Sequence, residues 1–279
     1  MKVKSRLAVV VAVAAALFLM IPGAASAAFL QGWFIDVDGP GGSAPVQVNQ
    51  FLDIVGQAYV QNNLGLGTFT EFGAFKSLTA DGALTLLPGT AELTGTLTAT
   101  GTVTLGGVIG FTGGTVNIYS DAANNFGTAA GTFGADDGTL IGSFTVLPGG
   151  GGNVDAAGVP NGQITALLQA TSLSPGFWIA PDGVTPLSSL GLILGFSTTN
   201  ASFVGPGTGL LPPIVVSEIG CEGLLGGVGC GSITNTPPTD LFLSTNGQFR
   251  LAVPEPSSLM LLGGGLLLVG LFGFRRKKA

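Results

Sequence analysis

From Leu93 to Leu105 the chain alternates without a break. Leu93, Gly95, Leu97, Ala99, Gly101, Val103 and Leu105 hold the odd positions, and Thr94, Thr96, Thr98, Thr100, Thr102 and Thr104 the even ones. A period of two puts the threonines on one face of a strand and the small apolar residues on the other, as in an antiparallel strand with one wet face. Shorter runs of this kind occupy Gln31–Val37, Gln57–Gln61, Gly67–Phe72, Thr115–Tyr119, Leu140–Leu147, Gly162–Gln169, Leu192–Phe196, Ile214–Ser217 and Gln248–Val253. Turn-forming clusters separate them, among them Asp38-Gly39-Pro40-Gly41-Gly42, Asp81-Gly82, Asp136-Asp137-Gly138 and Pro181-Asp182-Gly183. Many short strands between turns predict an all-β fold, an antiparallel β-sandwich or jelly-roll-like ectodomain over 28–205. The Gly149–Gly152 run reads as a loop, with an interdomain linker as the alternative. Residues 206–252 carry two Pro-Pro pairs and a Gly-rich stretch between cysteines, which predicts a loop-rich, peripheral segment.

The two ends depart from this alternation. Residues 1–27 begin with Lys2, Lys4 and Arg6, continue through an apolar run from Leu7 to Ile21, and end in Ala25-Ser26-Ala27. That order is the anatomy of a secretory signal peptide, with Ala25 and Ala27 flanking the cleavage site and Ala28 opening the mature chain. Residues 253–279 run in a different order. Val253-Pro254-Glu255-Pro256 is an extended, helix-refusing strip. The apolar residues from Ser257 to Phe274 are long enough for one membrane-crossing helix, and Arg275-Arg276-Lys277-Lys278 would stop transfer and hold the end in the cytoplasm.

Composition narrows the chemistry. Between the two targeting ends only Lys76 and Arg250 are basic, against fourteen acids, a formal charge of −12 on the ectodomain. Such a surface repels nucleic acid and anionic lipid. The chain has no histidine, which removes the usual general base and zinc ligand. Cys221 and Cys230 are the only cysteines, nine positions apart in an exported chain, and are expected to form a local disulfide. Asp36 and Asp38, and Asp136 and Asp137, are candidate calcium ligands, although Asp-Gly is also ordinary turn chemistry. Trp33, Tyr59, Tyr119 and Trp178 are the aromatics available for stacking on sugar rings, with core packing as the alternative.

The tail resembles the PEP-CTERM sorting signal of bacteria that make exopolysaccharide: Val253-Pro254-Glu255-Pro256, a Gly-rich apolar stretch and a terminal basic cluster stand in the required order. The resemblance implies export by the Sec machinery, a transient stay in the inner membrane, and recognition of Pro254-Glu255-Pro256 by an exosortase that cuts the tail. The cell surface or extracellular matrix would be the destination. Phe34-Ile35-Asp36, Phe69-Thr70-Glu71-Phe72-Gly73-Ala74-Phe75, Gly113–Asp121 and Pro175-Gly176-Phe177-Trp178 are similar to flocculation-associated members of that group. This implies a non-catalytic role in exopolysaccharide-associated aggregation, flocculation or biofilm, with no cofactor. The alternative is an exported enzyme acting on polysaccharide through paired carboxylates, chemistry that needs no histidine.

Overall fold

A computed structural model of the chain describes residues 27–82, 85–87, 90–104, 107–156, 158–205 and 211–254. The chain divides into residues 29–252, which hold the fold described below, and a second unit of residues 1–28 and 253–279, of which residues 27, 28, 253 and 254 are described. In chain order the strands are β1 (Ala27–Phe29), β2 (Trp33–Ile35), β3 (Val46–Val48), β4 (Leu52–Asn63), β5 (Thr68–Ala80), β6 (Thr85–Leu86) and β7 (Glu92–Val103). They continue as β8 (Val108–Asp121), β9 (Thr139–Asn153), β10 (Gln163–Leu173), β11 (Trp178–Ile179), β12 (Leu194–Phe203) and β13 (Asp240–Pro254).

Eight of these strands, β4, β5, β7, β8, β9, β10, β12 and β13, pair antiparallel in that order, each with its predecessor. The sheet then closes on itself, because β13 also pairs with β4 from Asp240↔Gln61 to Phe249↔Leu52. The result is an up-and-down barrel, and closure leaves its wall without an edge strand. The sandwich or jelly-roll expected from the sequence is therefore corrected to a closed eight-stranded barrel. The alternation was read correctly, but alternation is common to both architectures; what separates them is the pairing of β13 with β4, between segments far apart in the sequence.

Three local readings change with it. The Gly149–Gly152 run is neither loop nor linker but the end of β9, where register shifts against β8 and β10 mark bulges. A Cβ on Gly150 would meet the Thr165 carbonyl, so glycine lets the neighbouring backbone come close there. Of the segment taken as peripheral, residues 240–252 form the wall strand that closes the barrel. Ile214–Ser217, expected as a strand, instead opens a π-helix, Val215–Leu224.

That helix lies on the outside of the barrel. Tyr59 of β4, Phe72 and Ala74 of β5 and Phe242 of β13 point outward and are apolar, so they need a cover. Val215 and Ile219 of the π-helix provide it, together with Phe133 and Ala135 of the loop that precedes β9. Tyr59 and Phe242 stack at 4.5 Å beneath, and the Tyr59 hydroxyl donates to Asp240 at 2.9 Å. Elsewhere the exposed side chains are mixed, with Thr98, Thr100 and Thr102 on β7 beside Val55, Leu78 and Leu140 on other wall strands. An apolar interior under a mixed exterior is unlike a lipid-facing barrel, which is apolar outside and polar within. Among the described residues no helix is long and apolar enough to cross a membrane; the helix expected over 257–274 lies outside them.

Candidate functional site

The interior of the barrel has two halves of different chemistry. At the end where Leu52, Ala80, Leu93 and Phe249 lie, β11, β2 and β3 form a separate three-stranded sheet that plugs the opening. Trp33 and Trp178 from this plug stack at 5.7 Å, and both are fully buried. Trp178 meets Phe144 edge-on, Phe144 meets Phe249 in the same way, and the Trp178 indole N–H donates to the Ile141 carbonyl at 2.8 Å. The aromatic chain fills this half.

The other half is built by the parity of β5. Phe69, Glu71, Gly73 and Phe75 share one face and Thr70, Phe72, Ala74 and Lys76 the other. Since Phe72 and Ala74 belong to the outer cluster, the first set faces inward, and all four line an enclosed cavity of about 100 Å³. Val60, Leu97, Val103, Phe111, Ala166 and Leu243 contribute apolar wall, and Ser197, Thr199 and Thr245 a polar strip on β12 and β13. Glycines on β7 set its shape: a Cβ on Gly95 would meet the Phe75 ring, and one on Gly101 the Phe69 ring. Large rings from β5 thus occupy the space that small residues on β7 leave.

Glu71 is the only titratable side chain in this wall. It pairs in register with Val60 on β4 and Ala99 on β7, so its strand neighbours offer no compensating charge. Its side chain borders the cavity and is half-buried there, and among the described residues its carboxyl has no hydrogen-bond partner. Burial alone pushes its pKa up to about 7. The only basic side chains between the ends are outside: Lys76 lies over the Phe126 ring, and Arg250 over Phe29 and Phe51.

In the cavity wall the rings of Phe69 and Phe111 meet edge-on at 5.8 Å. Val154 and Pro160, joined by a bridge, also border the cavity. An open basin beyond, lined by Gln61, Asn63, Thr68, Thr70 and Asp240, shares Asn62 and Phe69 with the cavity wall.

The residues singled out from the sequence lie elsewhere. Cys221 and Cys230 are joined by a disulfide that ties the π-helix to the turn after it. Asp38 accepts from the Ser43 N–H and hydroxyl and from Thr90; burial opposes ionisation, but these bonds hold its carboxyl well below the usual range. Asp36 accepts from the Gly39 N–H; burial, then the neighbouring Asp38, push its pKa up. Asp136 accepts from the Thr132 N–H and Asp137 from Asn125. All four aspartates serve turns, and among the described residues no cluster of three or more acidic, Cys or His ligands could hold a metal. Trp33, Tyr59 and Trp178 are core residues rather than a sugar platform. Of the threonine row, Thr94 and Thr96 are covered, Thr94 donating to the Ala135 carbonyl. Ala25, Glu255, Pro256 and Arg275–Lys278 lie outside the described residues. Glu71 was missed, although its parity with Phe69 and Phe75 puts an acid on an apolar face.

The fold defines an acidic, closed β-barrel with a largely apolar interior cavity. Residues 252–277 match the PEP-CTERM protein-sorting motif, so the chain is a PEP-CTERM sorting-domain protein, exported and sorted by an exosortase. The match begins in the last residues of β13, so the signal follows directly on the strand that closes the barrel. No curated protein and no solved structure matches the chain.

Proposed function

We propose that the protein, after its tail is cut by an exosortase, acts without catalysis at the cell surface or in the extracellular matrix, in exopolysaccharide-associated aggregation, flocculation or biofilm. The Sec machinery and the inner membrane serve its export and hold its precursor. The observation that carries this reading is the sorting motif at 252–277 joined to a barrel whose cavity wall holds one carboxyl. Glycoside hydrolysis uses two carboxyls facing one substrate, about 5 to 10 Å apart. A single acid in a cavity of about 100 Å³ has neither the partner nor the room for a sugar chain. Polysaccharide is therefore assigned to the outer surface, where Thr98, Thr100 and Thr102 stand exposed.

The test is a deletion strain complemented with the whole chain or with a chain ending at residue 252. Loss of settling and of matrix-bound protein on deletion, restored by the whole chain alone, is the expected result. A deletion strain that aggregates like its parent would sink the proposal.

A further inference from the structure

We propose that the barrel interior binds a small primary alkylammonium ion, its chain along the apolar wall and its ammonium on the Glu71 carboxylate. The inference goes beyond the aggregation reading and stands or falls without it.

The argument begins with what Glu71 lacks. A carboxyl enclosed in apolar wall is costly when charged unless a cation or several donors meet it. Here no described residue donates to it, and the two basic side chains between the ends are engaged outside the barrel. Among the described residues nothing compensates the charge, so the carboxyl either keeps its proton or takes a cation from outside. Strands exposed to purely structural demand would place an apolar residue at this position, as β5 does with Phe69 and Phe75 on either side.

The cavity sets the ligand's size and its other end. An engineered apolar cavity of about 150 Å³ takes benzene, so about 100 Å³ admits a somewhat smaller occupant. Val60, Leu97, Val103 and Phe111 favour an alkyl chain over a polar one. Entry is helped by charge, because the basin that shares Asn62 and Phe69 with the cavity carries Asp240, whose carboxylate accepts from Tyr59 and Thr234. A cation moving from that rim to Glu71 passes between two acids.

The site also contains its own control. Gly73 lines the cavity with an ordinary backbone, and a Cβ placed on it meets only normal contacts, the nearest the Gln57 carbonyl at 3.5 Å. Gly73→Val thus fills the space without disturbing the wall, whereas Glu71→Gln keeps the space and removes the charge.

Isothermal titration of the full chain in detergent with n-propylammonium chloride at pH 8, at matched ionic strength, is the test. Saturable one-site binding is expected. Glu71→Gln should weaken it by about tenfold or more, since the partner charge is lost. Gly73→Val, with unchanged circular dichroism, should abolish it, and neutral 1-propanol should bind the wild type no better than it binds Glu71→Gln. Glu71 is the only titratable group facing the cavity, so the ammonium affinity should also fall as pH drops through 7. Absence of saturable binding overturns the proposal, as do equal affinities in wild type and Glu71→Gln, or binding that survives in folded Gly73→Val.

Discussion

At one end of the barrel Trp33 and Trp178 are stacked and fully buried, the Trp178 indole N–H donating to the Ile141 carbonyl and the rings continued by Phe144 and Phe249. A few residues along the same strands, the interior holds a cavity of about 100 Å³ and an acid without a partner. The strands and their inward parity are shared; the filling is not. One half is packed as a core, where each ring adds burial and edge-to-face contact. The other departs from that rule twice, with a void and with a buried ionisable group, and both departures reduce stability. Local departures of this kind are expected at functional sites, where stability gives way to recognition.

Breaking the packed half should have the largest effect. Trp178→Ala removes the plug's central ring and its bond to Ile141, and should lower unfolding free energy by about 3 to 5 kcal/mol, read by thermal or denaturant unfolding. A small loss would mean that the plug is not part of the core.

The acid should act with the opposite sign. Its folded pKa of about 7 stands above the ordinary 4.5, so the folded state holds the proton more tightly than the unfolded one. This contribution favours folding most below pH 4.5, declines as pH rises to 7, and is flat above. Glu71→Gln does not titrate, so the variant should match the wild type near pH 4 and exceed it by about 3 kcal/mol at pH 8. Equal stability at both pH values would show that the carboxyl reaches water.

Smaller effects separate two glycines that face the same interior. Gly101→Ala drives a methyl group into the Phe69 ring and should cost about 1 to 3 kcal/mol, whereas Gly73→Ala borders open space and should cost less than about 1 kcal/mol. Similar losses at the two positions would contradict the cavity's placement.

Much of the strand content was legible before any coordinates. The odd-even row from Leu93 to Val103 lies in β7, with Gly95, Leu97 and Val103 inward and Thr98, Thr100 and Thr102 outward. Closure was not legible, because Asp240–Phe249 and Leu52–Gln61 each read as a strand on their own and nothing local names the partner. The apolar run at Ile214–Ser217 suits a buried strand or a buried helix equally, and the outward Tyr59 and Phe242 decided between them by needing cover. The tail was legible in full as a motif, since its specificity lies in residue order rather than in packing. Glu71 does not stand out in sequence because other acids, Asp53, Glu92, Asp121 and Asp240, also lie in strands; only the direction of each side chain distinguishes the one that faces the cavity.

The claim that the barrel closes around a carboxyl without a partner among the described residues is tested most directly by following the Glu71 side-chain carboxyl carbon by NMR across pH, assigned by its absence in Glu71→Gln. The account predicts a single midpoint at about pH 7. A midpoint near 4.5 would place the group in water and contradict it.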